Sequence, residues 1–330
     1  MNTNNIFERI REQFSEMAGS TQEHQRLLEL LKQMEGKQVN LLVTGPTGSG
    51  KSSTINSLFN MRVAEVGAGV DPQTKDIDCY KLENLVIWDT PGFGDSESAD
   101  REYARQIISK LEETDKRREF AHRRGPGCSG CFFQGYGHSL STLIGETILP
   151  HLDSDAGQRI LVAVNQADVA MKGNHWDYEK NLPDETLQKF LEEKVSSIQG
   201  RILESIGLQT DPIYYCAGYT DENGEQRRAY NLNKLLLQIL RAVKGEKVLV
   251  LADNINEDES MWTDDDGKEN YSESIARSFG DIFKDCIDDG FETGGVIGGM
   301  IAGIRGAIVG MLVGAIGVRI CGLFKGLSDR

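Results

Sequence analysis

The residues with the clearest chemistry lie in Gly45–Ser52, whose sequence GPTGSGKS matches the pattern G-x-x-x-x-G-K-[ST]. Glycines in this pattern let the backbone curl so that its N–H groups face phosphate oxygens, and the following helix N-terminus adds partial positive charge. A lysine at the position of Lys51 reaches the β- and γ-phosphates, and a hydroxyl at the position of Ser52 ligates Mg²⁺. The motif predicts a polyphosphate site but does not distinguish ATP from GTP.

Two further motifs indicate which base is bound. In Asp89–Gly92 (DTPG), the Asp89 carboxylate can hold Mg²⁺ through water, and the Gly92 N–H can bond the γ-phosphate. In Asn165–Asp168 (NQAD), the Asp168 carboxylate can accept two hydrogen bonds, from guanine N1–H and N2–H₂, a pair that adenine lacks. Each motif alone is a weak four-letter match, but their order and spacing after the phosphate loop together predict guanine-nucleotide binding.

The three motifs each adjoin an apolar run that predicts a buried strand: Val39–Thr44, Leu85–Asp89 and Ile160–Asn165. A further strand is predicted at Pro212–Ala217, and helices are predicted at Ser52–Asn60, Glu97–Leu111, Leu140–Leu149, Asp184–Ile206 and Leu232–Val243. This alternation predicts an α/β fold with a parallel sheet covered on both faces. The motifs then lie at the carboxyl ends of strands, where open α/β sheets bind ligands.

With these motifs, the sequence resembles the translation-factor-related P-loop GTPases of the TrmE–Era–EngA–EngB–septin-like class, and within it the uncharacterised prophage-encoded YfjP/YkfA group. The resemblance extends roughly from Val39 to Val243. It implies a P-loop NTPase G domain with a mostly parallel six-stranded sheet in the order 2-3-1-4-5-6. It also implies GTP and GDP as ligands and slow, Mg²⁺-dependent hydrolysis of the phosphoric anhydride.

The resemblance also assigns roles to individual residues. The nucleotide contacts that it implies come from Gly45, Pro46, Thr47, Gly48, Ser49, Gly50, Lys51, Ser52, Ser53, Asp89, Asn165, Gln166, Asp168, Cys216 and Ala217. The implied catalytic groups are Lys51, Thr74 and Gly92, and the implied Mg²⁺ ligands are Ser52, Thr74 and Asp89. Thr74, in GVDPQTKDID, is the candidate switch threonine, and Cys216–Gly218 takes the place of the loop whose backbone N–H contacts guanine O6.

Three positions depart from the family pattern. Gln166 stands where a lysine stem usually covers the base, so weaker nucleotide affinity is expected. Phe93 follows DTPG where Ras-like proteins carry a water-orienting glutamine, so the attacking water would have to be oriented by another route, such as a partner or a dimer. Gly48 stands where potassium-activated relatives have asparagine, so potassium activation is not expected. Slow intrinsic turnover follows.

The sequence shows no apolar run where strand 4 of the implied sheet is expected. This strand should be an apolar run between residues 110 and 140, but Lys116–Ser139 reads KRREFAHRRGPGCSGCFFQGYGHS. Consecutive Gly and Pro residues with four arginines nearby do not favour a central buried strand. Codons that encode Phe120–His138, read one nucleotide later, allow LPTAADLVVLDASSKDMGT, an apolar strand followed by a turn. A pair of compensating frameshifts at about 117–139, in the gene or in its recorded sequence, is therefore a hypothesis.

A C-x-x-C pair, Cys128 and Cys131, lies in the same stretch. One interpretation is half of a zinc site or a redox pair, with His122 and His138 as the nearby candidate ligands. No second pair of cysteines stands nearby in the sequence.

Composition limits the classes of function. The formal net charge is −15, and an acidic surface repels phosphate backbones, so nucleic-acid binding is disfavoured. Residues 1–35 are polar and charged, so no secretory signal is expected. The scattered cysteines indicate reduced thiols in the cytoplasm rather than a disulfide framework; they are Cys79, Cys128, Cys131, Cys216, Cys286 and Cys321.

Four parts are predicted along the chain: a helical N-terminal segment 1–36, an Era-like G domain 37–245, an acidic linker 246–270 and a helical, glycine-rich C-terminal region 271–330. Within the linker, DNINEDESMWTDDDGKEN at 253–270 predicts a solvated chain.

The glycine-rich tail allows two interpretations. Glycines recur at spacings of four, and residues 293–318 carry one charge, Arg305. Such spacing lets helices approach closely, as in membrane helix pairs. The segment 293–324 is therefore either a hairpin or interfacial insertion at the inner membrane, or a soluble helical hairpin or oligomer contact.

Three functions follow as hypotheses: a regulatory GTPase switch in the cytoplasm, a membrane-associated assembly module controlled by nucleotide, and a degenerate G domain that keeps the motifs but lacks activity.

Overall fold

The computed structural model describes residues 6–17, 22–59, 77–82, 84–92, 97–120, 130–134, 141–152, 156–220, 226–243, 247–256, 258–263, 265–275 and 277–278. Thr74, Phe93, Cys128 and the tail 293–324 lie outside these residues. The predictions that rest on them therefore stay predictions.

Strands and helices alternate through the described chain. The strands are β1 Val39–Thr44, β2 Asp78–Leu82, β3 Leu85–Asp89, β4 Gly130–Gln134, β5 Ile160–Val164, β6 Trp176–Asp177, β7 Leu182–Pro183, β8 Ile213–Tyr214, β9 Tyr219–Thr220 and β10 Gln226–Arg227. The α-helices are α1 Ile6–Met17, α2 Gln22–Glu35, α3 Lys51–Leu58, α4 Glu97–Phe120, α5 Ala156–Arg159, α6 Glu185–Ile206, α7 Leu232–Ala242 and α8 Val248–Asp253. Leu143–Ile148 is a π-helix, and Leu149–His151, Ala167–Gly173 and Glu259–Met261 are 3₁₀ turns.

The main sheet has the strand order β2-β3-β1-β4-β5-β8. β2 runs antiparallel to β3, and the other neighbouring strands are parallel. The ribbons β6–β7 and β9–β10 are separate, and β8 has only two residues. The α/β P-loop fold is thus confirmed with the expected strand order, although the sheet is more fragmented than a clean six-stranded sheet.

β8 is shorter than the predicted strand Pro212–Ala217 because the chain changes partners. The Tyr215 N–H still donates to the Val164 carbonyl of β5 at 2.9 Å. At Cys216 the backbone leaves the sheet and instead exchanges two hydrogen bonds with Tyr230, at 3.0 and 2.9 Å. This turn brings the loop at 216–218 over the carboxyl edge of the sheet.

The stretch Lys116–Ser139 does contain a strand of the main sheet, so the expectation from its composition was wrong. β4 pairs parallel with β1, where Leu41 is aligned with Gly130, and with β5, where Cys131 is aligned with Ile160. The strand uses only five residues, GCFFQ, so the glycine, proline and arginine residues that argued against it precede it. The composition of the whole stretch was therefore a poor guide to the short segment that pairs.

Both faces of the sheet are covered, as the alternation predicts. Leu41 and Val43 of β1 point into one hydrophobic core, which also contains residues of α7 and α8. Leu42 points into the other core, which contains residues of α4 and α6. The fully buried strand β1 therefore holds the phosphate loop at its carboxyl end on a rigid base.

The described part of the predicted linker 246–270 is packed on the G domain. Its first residues form α8, whose side chains from Val248 to Ala252 are all buried. Two acidic residues that predicted solvation are buried as ion pairs: Asp265 with Arg228 at 2.9 Å and Asp266 with Lys234 at 2.8 Å. The expectation of a solvated linker is therefore wrong here, because the sequence pattern could not show these distant cationic partners.

The N-terminal helices α1 and α2 pack on α8. The Ile6 N–H donates to the Asp253 side chain at 2.6 Å, and Ile6, Phe7 and Ile10 are buried. A helical N-terminal segment that packs on the main domain matches the expectation for 1–36, while the division into domains stays a prediction. Within the described ranges, no helix has the length and apolar character that a bilayer crossing needs.

Candidate functional site

The phosphate loop connects β1 to α3. Gly48 (φ 74°) and Gly50 (φ 83°) adopt left-handed backbone conformations that favour glycine. The Lys51 side chain, only 7% exposed, folds back so that its ammonium donates to the carbonyls of Gly45 and Pro46 at 3.2 Å each. The loop thereby holds the cation at its centre, where a polyphosphate would bind.

The two described residues predicted to hold Mg²⁺, Ser52 and Asp89, meet where α3 lies against the end of β3. The Ser52 hydroxyl donates to Asp89 Oδ2 at 2.7 Å. Asp89 is fully buried, and its Oδ1 has no hydrogen-bond partner in the described structure. Burial raises the pKa of the Asp89 carboxyl to about 6, against the Ser52 hydrogen bond and the Lys51 charge, which both lower it. A buried carboxylate oxygen beside a hydroxyl fits hydrated Mg²⁺, a cation that prefers oxygen ligands and keeps several waters.

Gly92 lies directly against the phosphate loop. A Cβ atom at Gly92 would lie 2.3 Å from Thr47 Cα and 2.4 Å from Thr47 N, so only glycine fits. This close approach positions the DTPG backbone beside the loop, as a contact to a terminal phosphate requires.

Asn165 connects the phosphate loop to the loop predicted to contact the guanine base. Its side-chain Nδ2 donates to the Ser49 carbonyl at 3.0 Å, and its Oδ1 accepts from the Ala217 N–H at 3.0 Å. A Cβ at Gly50 would lie 2.4 Å from Asn165 Nδ2. Asn165 therefore links the phosphate loop to the loop at 216–218, and its role in the described arrangement is to position both.

Asp168 lies in the same corner and is 5% exposed. Burial, and then the negative charge of Asp168, raise the pKa of the Cys216 thiol, so the two side chains are close. The N–H groups of Cys216 and Ala217 donate to the Tyr230 carbonyl and to Asn165, and the Gly218 N–H donates to Cys216 Sγ at 3.4 Å. The predicted contact of this loop with guanine O6 stays a prediction.

Gln166 contacts the phosphate loop. It has a left-handed backbone (φ 63°), and its Nε2 donates to the Gly48 carbonyl at 2.9 Å. The side chain thus reaches the phosphate loop, but it brings neither the positive charge nor the long stem of a lysine to the base.

A cleft beside Asp168 was not foreseen from the sequence. It has a volume of about 310 Å³ and is lined by Asp168, Trp176, Tyr178, Glu179, Lys180, Asn181, Cys216, Tyr219, Arg227 and Arg228. These residues come from the β6–β7 and β9–β10 ribbons and their surroundings. The sequence held only a weak signal for this cleft. Aromatic and basic residues follow both NQAD and the loop at 216–218 within a short distance.

Comparison with protein-family models matches residues 4–115 to the model described as Interferon-inducible GTPase (IIGP), about a third of the chain. Among curated proteins, the chain is 44% identical over 70 residues to Interferon-inducible GTPase 1 of Mus musculus, covering 19% of this chain and 17% of that protein. It is 31% identical over 157 residues to Septin-8 of Xenopus tropicalis, covering 42% and 36% of the two chains. The chain thus spans between about a sixth and just over a third of the length of these relatives.

Among solved structures, Toc33 from Arabidopsis thaliana in complex with Mg²⁺ and GMPPNP is 15% identical, with a TM-score of 0.41, covering 74% of this chain and 98% of that chain. Aquifex aeolicus Era bound to GDP·AlF₄⁻ is 16% identical, with a TM-score of 0.38, covering 63% and 57%.

The fold and the site together have the arrangement expected of a P-loop nucleotide-binding protein. Over the matched segments, the chain is similar to the interferon-inducible GTPases and to the septins. These findings lend no support to the closer likeness to the prophage YfjP/YkfA group.

Proposed function

We propose that this protein binds GTP and GDP with Mg²⁺ and hydrolyses GTP slowly, acting as a regulatory switch. The observation that carries the proposal is the joining of phosphate, metal and base motifs in one site. Ser52 contacts Asp89, and Asn165 bridges the phosphate loop to the loop beside Asp168.

The residues divide the chemistry among them. Lys51 would leave the loop carbonyls for the β- and γ-phosphate oxygens and balance their negative charge. Ser52 and Asp89 would hold Mg²⁺, which supplies charge stabilisation at the phosphates. The Gly92 N–H would donate to the terminal phosphate, and Asp168 would accept from the guanine edge. The sequence offers no water-orienting glutamine after DTPG, which supports a slow intrinsic rate.

The first prediction concerns melting. Mg²⁺ with GDP or GTP should raise the melting temperature of the full chain, because ligand binding to the folded state adds about 2.7 kcal/mol at a ligand concentration of 100 Kd. ATP should give no comparable shift. Differential scanning fluorimetry with each nucleotide measures this. Lys51→Ala should lose the shift, while Lys189→Ala, an exposed lysine on α6, should keep it. A wild-type chain that melts at the same temperature with and without Mg²⁺·GTP would contradict the proposed function.

The second prediction concerns Gln166. Gln166→Lys should bind GDP about 2- to 5-fold more tightly, since an apolar stem and a cation over an aromatic ring contribute roughly 0.5–1 kcal/mol. Titration calorimetry with GDP measures the change, and pyrophosphate, which has no base, is the control ligand. Equal or weaker GDP affinity in the variant would contradict the expected contact between a lysine stem at this position and the base.

The remaining alternatives are finer proposals. A degenerate G domain stays an alternative beside the observed pairing of β4 on both sides, and sequencing across 117–139 is the direct test of the frameshift hypothesis. Self-association, inner-membrane contact through 293–324, cytoplasmic location and likeness to the prophage group stay predictions.

A further inference from the structure

We infer that Tyr219 forms a wall of the guanine site and stacks on the bound base. This inference rests on the proposed function and adds to it a residue outside the recognised motifs.

The position of Tyr219 follows from the loop before it. The Ala217 N–H is held by Asn165 at 3.0 Å. Gly218 then turns with φ 73°, and a Cβ there would lie 2.4 Å from the Arg227 carbonyl. This tight turn starts β9, so Tyr219 directly follows the loop predicted to contact guanine O6.

The side chain faces the base carboxylate. Tyr219 and Asp168 line the same cleft of about 310 Å³, a volume at the lower end of the range for ligand pockets. The pKa of the Tyr219 phenol is raised by partial burial and then by the charge of Asp168, which agrees with this proximity. Tyr219 is nevertheless 42% exposed, so an apolar ring surface remains accessible there.

A second tyrosine lines the same cleft. Tyr178 is 46% exposed, and its hydroxyl lies 3.0 Å from where a Cβ would stand at Gly173. Asn181 Nδ2 donates to the Ala229 carbonyl at 3.0 Å and thereby fixes the β6–β7 ribbon to the chain after β10. Two exposed tyrosines, Tyr178 and Tyr219, therefore line the cleft beside Asp168.

The chemistry favours stacking by Tyr219 over a hydrogen bond from its hydroxyl. Every base has a π-face, and loss of one stacked aromatic side chain typically weakens binding by about 5- to 150-fold. Stacking does not depend on the exocyclic amine that Asp168 recognises. The two residues should therefore contribute independently to affinity.

The experiment uses the full chain and titrates GDP, inosine diphosphate (which lacks the exocyclic amine) and pyrophosphate with Mg²⁺. Tyr219→Ala should bind GDP and inosine diphosphate more weakly by the same factor, about 5-fold or more, and pyrophosphate as tightly as the wild type. Tyr219→Phe should match the wild type, because it keeps the ring. Leu203→Ala, which truncates a 50%-exposed side chain on α6, is the matched control.

The outcomes separate the two claims. A wild type that binds GDP, with Tyr219→Ala equally tight, overturns the stacking role and leaves the proposed function intact. A Tyr219→Phe variant as weak as Tyr219→Ala also overturns it, because the hydroxyl would then be the contact. A wild type that binds no GDP overturns both. Melting temperatures of the variants without nucleotide show whether folding is preserved.

Discussion

Asp168→Asn should lose affinity for GTP by at least about 100-fold and gain affinity for xanthosine triphosphate. The buried carboxylate accepts from both guanine N1–H and N2–H₂ in the proposed complex. An asparagine keeps one acceptor but turns a donor toward the exocyclic amine, so two donors then face each other. Losing a hydrogen bond to a charged group and leaving a buried donor unpaired costs about 3 kcal/mol or more, and each 1.4 kcal/mol is tenfold in affinity.

Xanthine presents the complementary pattern. It keeps N1–H but has a carbonyl oxygen where guanine has its amine. In the Asp168→Asn variant, the oxygen of the introduced amide would accept from N1–H, while its nitrogen would donate to that carbonyl oxygen. The preference for one base over the other should therefore reverse, whereas general damage to the site would weaken both nucleotides.

Competition binding with labelled GDP measures the affinities of both proteins for both nucleotides. Asp211→Asn, the same substitution at an exposed carboxylate, should leave GTP preference unchanged. Because Asp168 also lies close to the Cys216 thiol, the melting temperature without nucleotide should be recorded for each variant. Equal loss of GTP and xanthosine triphosphate would argue against Asp168 as the base-reading residue.

Asp89→Asn should stabilise the metal-free protein above pH 6 and remove the Mg²⁺-dependent part of nucleotide binding. Asp89 is fully buried, and one of its oxygens has no hydrogen-bond partner in the described structure. The pKa of Asp89 is raised to about 6, so ionisation of this carboxyl is less favourable in the folded protein than in the unfolded chain. Replacing the carboxylate by an uncharged isostere should add on the order of 2 kcal/mol to the free energy of unfolding at pH 8.

The sign of the pH dependence follows from the raised pKa. Between the unfolded value near 3.8 and the folded value of about 6, the folded protein binds more protons than the unfolded chain. The wild-type free energy of unfolding should therefore fall as pH rises from about 4 to about 6, relative to that of Asp89→Asn, and the difference should be constant well above pH 6. Nucleotide with Mg²⁺ should favour the charged carboxylate, so its stabilising effect on the wild type should weaken below pH 6.

Urea unfolding in EDTA, and again with Mg²⁺ and GDP, measures both effects from about pH 4.5 to about pH 8. Asp78→Asn is a graded variant, because the Asp78 charge contributes to the raised pKa of Asp89, so its profile should shift to lower pH. A difference between wild type and Asp89→Asn that does not change with pH would show that the carboxylate is not the titrating group.

The site could be predicted from sequence to the extent that local pattern determines it. Glycine at 48 and 50 satisfies left-handed backbone angles, and the buried run Val39–Thr44 could hardly be anything but a central strand. Asp184 caps α6 by accepting from the Leu187 N–H at 2.9 Å, and Gly207 ends it with φ 68°. Each of these features depends on residues within a few positions of one another.

Other features could not be predicted because they depend on partners far along the chain. β4 forms from five residues, and it is the neighbouring strands β1 and β5 that make this stretch a strand. Asp265 and Asp266 form an acidic pattern typical of solvated chain, yet Arg228 and Lys234 bury them. A charge pattern does not reveal whether distant counter-ions will be brought into contact.

The sequence by itself determined which groups can do the proposed chemistry: a lysine and a serine for phosphate and metal, a carboxylate for the base, and a strand before each. Only the tertiary structure decided how these groups meet. It placed Asn165 between two loops, left one oxygen of Asp89 without a hydrogen-bond partner in the described structure, and turned Tyr219 into the cleft beside Asp168. The reason is physical: motif spacing constrains backbone geometry locally, whereas burial and contacts between distant residues exist only once the sheet has brought those residues together.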